Sequence, residues 1–302
     1  MSRVFFARGV RGEIVRRLQR QLGFAAKDVD GVFGDATVAA VRTFQLGQKL
    51  GATGEVDADT WQALMKAPMP VVRDRALGLT GTFEGHDFTL AQGNFDGAGI
   101  TWGIIGFNLK SGSLARVLLD IQASRPDLLR QAFGAKTDQL LQLLAKPVSQ
   151  QIAFADTISL GSDKARLAEP WRSAFSAFGN LPEVQAAQLA LADSAYFQPA
   201  LKTASDLGLK TELGLALAFD IHVQNGGIKA AARTQIQEQL AKHPIGSERD
   251  LRVIIANAVA DKSAAAFRED VRSRKLTLAT GAGVVHKATF VVRNWGLDDL
   301  PA

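Results

Sequence analysis

Two prolines, Pro68 and Pro70, do most to limit what this chain can fold into. A proline lacks the amide hydrogen and clashes with the preceding turn, so no helix runs through Lys66-Ala67-Pro68-Met69-Pro70. The break predicts a short unit over residues 1–66, a linker over 67–70 and a long unit over 71–302. With 47% of the 302 residues hydrophobic, each unit has material for a core.

Composition closes off several classes of function. There is no Cys, so neither disulfides nor thiolate chemistry are available. Four scattered His without Cys predict no metal site, and no cofactor is expected. The formal charge of +5 favours an anionic partner such as an acidic wall polymer or a membrane surface. The excess is too small to predict a nucleic-acid groove. No apolar run reaches about 18 residues, so no membrane span is expected. Arg8 and Arg11 interrupt the N-terminal apolar run, which reads as no signal peptide. The expectation is a monomer made in the cytoplasm. If its target lies in a cell wall, it would act in the periplasm or on the wall after release by a holin-type or secretion-system route.

The short unit reads as three helices. Ile14, Val15, Leu18 and Leu22 recur at helical spacing, with Gly23 as a C-cap. Asp30-Gly31-Val32-Phe33-Gly34 is a tight turn before a second helix, which starts at Thr37 and carries Val41, Phe44 and Gln45. Thr53-Gly54 is another turn, and Asp59 or Thr60 is expected to cap a helix through Trp61 and Leu64. Leu18, Val41, Phe44, Trp61 and Leu64 would form the core. No internal repeat is evident in the sequence.

The long unit reads as mostly helical, which makes the chain mainly α (α+β). Met69 to Phe83 is amphipathic through Val72, Ala76, Leu79 and Phe83. Residues 88–103 are rich in Gly, Thr and Phe, with Gly93-Asn94 and Asp96-Gly97 as turn signals. They predict a β-hairpin or small sheet. Helical patterns return after Gly112, including one run from Asp250 to Arg274. Pro126, Pro147 and Pro182 sit at the edges of such runs.

Two carboxyls in this stretch suit glycoside hydrolysis, which needs one protonated acid and one ionised partner. Glu84 follows Phe83 at the end of an amphipathic helix, an apolar setting for the acid. Asp96 lies in the glycine-rich hairpin and fits the second role, activating water or attacking. The Thr101 hydroxyl is placed to hold the attacking water. Asp220 and Gln224 share a helix face, with Asn225-Gly226 closing the helix, and are candidates to line a substrate cleft. His86 is a further substrate-contact candidate. Arg268, Arg272, Arg274 and Lys275 read as a solvated basic face, with contact to an anionic surface as the alternative.

The ordered pattern Gly12, Val15, Leu18-Gln19, Asp30-Gly31-Val32-Phe33-Gly34, Thr37, Phe44-Gln45, Thr53-Gly54 and Thr60-Trp61 resembles the peptidoglycan-binding domain of bacterial and phage wall hydrolases. The resemblance implies a shallow groove for peptidoglycan near Asp30, Gly31, Phe33 and Thr37. The residue-level reading is that these same positions build a turn and fill a core. Further on, Leu79-Thr80-Gly81-Thr82-Phe83-Glu84 and Asp96-Gly97-Ala98-Gly99-Ile100-Thr101-Trp102-Gly103-Ile104-Ile105-Gly106-Phe107 resemble the family-46 chitosanases of the lysozyme-like superfamily. That resemblance implies Glu84 as general acid, Asp96 as general base and Thr101 as the water-positioning residue. The stretch between Glu84 and Asp96 is shorter than those chitosanases carry.

The expected function is a muramidase-type peptidoglycan hydrolase, like a phage endolysin or a secreted antibacterial effector. Chitosan is polycationic, so a net basic chain suits an anionic wall better. The alternatives are a chitosanase or chitinase with an accessory binding module, and a non-catalytic wall-binding protein.

Overall fold

The computed structural model describes residues 3–85, 87–242 and 245–302. The fold is mainly α with small antiparallel sheets. The chain gathers into two compact units, Met1–Phe83 together with Ser194–Ala302, and Glu84–Asp193. Among the described residues no helix is long and apolar enough to cross a membrane.

The N-terminal part of the first unit holds the three predicted helices, Glu13–Gln21, Asp35–Gly47 and Ala58–Met65. Val15, Leu18, Phe33, Val41 and Trp61 close its core at 1% exposure or less. Phe44, expected there, is only half-buried, and its neighbour Gln45 points inward instead. The third helix is capped by Asp57, whose carboxylate accepts from the Thr60 amide, and not by Asp59 or Thr60. Thr37 does not open the second helix but sits in its first turn, buried. A strand absent from the sequence reading, Val4–Phe6, pairs antiparallel with Val56–Asp57. Segments of two or three residues carry too little alternation to be recognised.

The interior of this part contains a duplicated hydrogen-bond clamp. The Gln19 amide nitrogen donates to Asp30 Oδ1 and Thr37 Oγ1, and its oxygen accepts from the Gly31 amide. The Gln45 amide nitrogen donates to Thr60 Oγ1 and to the Glu55 carbonyl, and its oxygen accepts from the Gly54 amide. Each copy is a helix, an inward glutamine, a glycine turn and a buried threonine six residues past that glycine. The unit is therefore a repeat of hydrogen bonding. The sequence shows none because the intervening loops differ in length.

Thr37 and Phe33 are closed off from solvent, and the Gly31 amide is committed to Gln19. Their expected role as direct peptidoglycan contacts is corrected, because they hold the turn from within. Asp30 is exposed, but its Oδ1 already accepts from Gln19 and from the Val32 amide. Those bonds, led by Gln19, hold its carboxyl below the usual range.

The C-terminal part of the same unit is built on a buried charge cluster. Asp220 is 0% exposed within the helix Glu212–Asn225. Its carboxylate accepts from Arg274 at 2.7 Å, from Lys275 at 2.5 Å and from the Thr80 hydroxyl at 3.0 Å. Thr80 lies on the helix Val72–Glu84, and both cations lie on Arg268–Thr280. Asp220 thus joins three helices from the inside. Arg274 and Lys275 are 1% and 0% exposed, so the expected solvated basic face is corrected. Arg272 instead faces outward to Asp261 and Glu269. The run from Asp250 to Arg274 is two helices, Glu248–Asp261 and Arg268–Thr280. A second ionic tie holds the N-terminus, where Arg3 and Arg75 both bind the buried Glu212.

Burial alone would raise the Asp220 carboxyl pKa, but Arg274 and Lys275 hold it below the usual carboxylate range. The stability it contributes is therefore present above the ordinary carboxylate pKa and is lost as the pH falls below about 4. Asp220→Ala removes the carboxylate that two buried cations share and should cost about 3–5 kcal/mol. The check is denaturant unfolding at pH 7 compared with pH 3, where the gap between mutant and wild type should narrow. Gln45→Ala should cost about 1–3 kcal/mol by stranding the buried Gly54 amide. Gln19→Ala should cost a similar amount, as the clamps are alike, and both changes are measured by the same unfolding titration.

Candidate active site

The second unit, Glu84–Asp193, wraps helices around a small five-stranded antiparallel sheet. The strands run in the order Phe107–Asn108, Thr101–Trp102, Ala91–Gln92, Arg166–Leu167 and Ser159–Leu160. The β-structure expected over residues 88–103 is present, with Ala91 opposite Trp102 and Gln92 opposite Thr101. Pro126 and Pro182 open helices, where a missing amide hydrogen is harmless.

Because side chains alternate along a strand, the sheet has two chemically distinct faces. Ala91, Trp102 and Phe107 form an apolar row and are buried. Trp102 stacks on Phe178 with centroids 5.6 Å apart and donates its indole N–H to the Phe175 carbonyl. The opposite row is polar, made of Asn108, Thr101, Gln92 and Arg166. Thr101 lies near its middle, 6% exposed, and its Oγ1 meets no hydrogen-bond partner among the described residues. A buried hydroxyl without a partner is costly to leave dry, so this atom is suited to holding a water or a substrate hydroxyl.

Asp96 stands at the exposed tip of the loop that joins Gln92 to Thr101. Its Oδ1 accepts from the Ala98 amide at 2.9 Å. Two glycines make the loop possible. Gly99 has φ +82°, and a Cβ there would press on Leu109 at 3.1 Å. At Gly93 a Cβ would stand 2.3 Å from the Lys164 carbonyl oxygen, which only a glycine allows. The loop thereby lies directly against the turn between Leu160 and Arg166. Glu84 is the last residue of the helix Val72–Glu84, half-buried and directly after the buried Phe83. Glu84, Asp96 and Thr101 all fall in the second unit.

The other candidates do not join them there. Asp220, Gln224 and Asn225 belong to the first unit. Asp220 is wholly committed to its cations, which corrects its expected place in a substrate cleft. The amide nitrogen of Gln224 donates to Asp270 and its oxygen accepts from Lys275, so it extends the same buried network. The Asn225 amide donates to the Ser263 hydroxyl at 3.5 Å, and Gly226 ends the helix in the left-handed conformation as expected. His222 lies 2.8 Å from the Thr203 hydroxyl; burial, then Lys229, push its pKa down, which keeps it neutral at pH 7. His86 lies outside the described residues.

The sequence reading overlooked Asn94, Gln92, Asn108 and Arg166. The Gly93-Asn94 pair stood out only as a turn signal. Gln92 and Asn108 come into line with Thr101 through the register of strands only two residues long, and Arg166 joins them through a pairing with Gln92 from far along the chain.

Comparison with known proteins covers both parts of the chain. Residues 11–64 match the peptidoglycan binding domain family PG_binding_1. Residues 81–249 match glycosyl hydrolase family 46. A chitosanase of Bacillus subtilis strain 168 is 30% identical over 156 residues, 50% of this chain and 50% of that protein. The chain thus spans about half the length of this relative. Among solved structures, a mutant chitosanase from Bacillus subtilis MY002, complexed with 6 GlcN, is 18% identical with a TM-score of 0.53. It covers 74% of this chain and 99% of its own. The native chitosanase of that strain is 21% identical with a TM-score of 0.51, covering 70% and 86%. These structures share the fold. With a family match that runs through the helix-end Glu84, the Asp96 loop and the Thr101 strand, the chain belongs to glycosyl hydrolase family 46.

Proposed function

We propose that this protein hydrolyses β-1,4-linked amino-sugar glycan by general acid–base catalysis, with chitosan as the substrate class. The observation that carries the reading is the relation of Asp96 to Thr101. A carboxylate stands on a loop that feeds directly into a strand bearing a buried hydroxyl without a partner among the described residues. In this reading Thr101 Oγ1 and the Asp96 carboxylate hold one water between them, and Asp96 takes its proton as the water attacks the anomeric carbon. Glu84 donates its proton to the leaving glycosidic oxygen. The bond from anomeric carbon to oxygen breaks as the bond to water forms. The product sugar therefore emerges with the inverted anomeric configuration.

The charge of the unit that holds Glu84, Asp96 and Thr101 supports chitosan. Over the whole chain the formal charge is +5, which by itself suits an anionic wall. The second unit carries nine Lys and Arg against eleven Asp and Glu, a net of −2, which leaves +7 for the first unit. A polycationic glycan is attracted to an acidic surface and repelled by a basic one. That the similar proteins are chitosanases supports the same choice.

Peptidoglycan is the second reading, favoured by the peptidoglycan-binding match over residues 11–64. In either case residues 1–66 are the binding module, 67–70 the linker and 71–302 the hydrolase.

Glu84→Gln and Asp96→Asn should each lower turnover about 10²–10⁴-fold while the thermal midpoint stays within a few degrees. Release of reducing ends from chitosan and from purified sacculi, assayed side by side, separates the substrates. Cleavage of sacculi alone, with new muramic acid reducing ends, would replace chitosan by peptidoglycan as the substrate. Proton NMR of the first product anomer should show inversion; retention would sink the role given to Asp96.

A further inference from the structure

Asp96 stands on a loop tip where Phe95, Asp96 and Gly97 are all exposed. An exposed tip with glycines at 97 and 99 has many conformations open to it, and a base that wanders by an ångström loses rate. The loop nevertheless has a rigid internal brace. Asn94 is only 8% exposed, and its backbone amide, side-chain nitrogen and side-chain oxygen are all hydrogen-bonded to residues outside the tip. Its side-chain oxygen accepts from the Gly99 amide at 2.7 Å, which ties the two arms of the loop together below its tip. Its side-chain nitrogen donates to Asp156 Oδ1 at 3.0 Å. Its backbone amide donates to the Ser159 hydroxyl at 2.8 Å.

The far anchors are themselves held. Asp156 lies at the end of the helix Val148–Thr157 and is ion-paired with Lys164 at 2.5 Å. The Ser159 hydroxyl donates to the Ala155 carbonyl at 2.6 Å. The Gly93 amide donates to the Ala165 carbonyl at 2.9 Å, in the same close approach that excludes a side chain at Gly93. One buried amide thus fastens both ends of the Asp96 loop to each other and to the strand pair that ends the sheet.

We propose that Asn94 is the positioning residue for the Asp96 carboxylate, acting through the Asn94–Gly99 and Asn94–Asp156 hydrogen bonds. It does not touch the reacting atoms. It closes the loop into a ring whose tip carries the carboxylate, so the ordering of the loop is complete before substrate binds. The inference rests on Asp96 being the general base.

The test is steady-state kinetics of the full chain on chitosan, or on sacculi if the wild-type chain cleaves those instead. Asn94→Ala should lower kcat about 10- to 100-fold and change KM less than about threefold. Asp156→Ala, at a half-exposed site that does not endanger the core, should lower kcat in the same direction by a smaller factor. Asp156→Asn keeps an acceptor for the Asn94 amide and should restore most of that loss. The proposal is overturned if Asn94→Ala turns over at the wild-type rate, or if KM moves and kcat does not. It is equally overturned if kcat falls only in proportion to the folded fraction seen by near-ultraviolet circular dichroism. Asp96→Asn in the same series separates the two ideas. A fully active Asp96→Asn defeats the general-base assignment and with it this proposal. An inactive Asp96→Asn beside an unaffected Asn94→Ala defeats the positioning role alone.

Discussion

A carboxylate taken wholly out of water must be answered by positive charge and hydrogen bonds, and Asp220 sets that condition for the first unit. Arg274, Lys275 and Thr80 supply the answer from two other helices, Val72–Glu84 and Arg268–Thr280. Neither cation can leave without stranding the other charges, so these helices have essentially one arrangement open to them. Arg274 also lies over the ring of Phe83, 5.2 Å from its centre, one residue before Glu84. The ionic cluster therefore also holds Phe83, late in the helix Val72–Glu84.

The same economy of polar groups recurs at smaller scale. Gln19 and Gln45 each use one buried amide to hold a glycine turn and a threonine. Asn94 uses one to brace the Asp96 loop. In each case an amide is chosen because it donates and accepts at once, so it can answer two buried backbone or side-chain groups from one position. Hydrophobic burial gathers these segments; the amides decide which conformation the turn between them takes.

At the site, the useful asymmetry is that of the sheet. One row of side chains packs as core through Trp102, and the other presents Asn108, Thr101, Gln92 and Arg166. A two-residue strand is enough to place Thr101 and Trp102 on opposite faces. The apolar member anchors the strand, and the polar member is left facing away from the core with its hydroxyl uncommitted among the described residues.

Much of this was legible in the residues. Helical spacing located the three N-terminal helices, and the Gly, Thr and Phe content of residues 88–103 located the sheet. The order Glu84, Asp96, Thr101 pointed to glycosyl hydrolase family 46, since each of those readings depends on neighbours a few positions apart. The register of strands two residues long, the repeat hidden in hydrogen bonds and the fate of individual charges were not legible. Asp220 and Gln224 share a helix face, and from spacing alone that face looked like a cleft. In the folded chain the helix is enclosed from Glu212 to Ile221, and Asp220 and Gln224 turn to partners about fifty residues away. Likewise +5 is a property of composition, whereas −2 on the unit that holds Glu84, Asp96 and Thr101 depends on which residues the fold collects there. Local periodicity and residue chemistry determined what elements and reactive groups this protein has. Long-range pairing, which no short window of sequence contains, decided which groups meet.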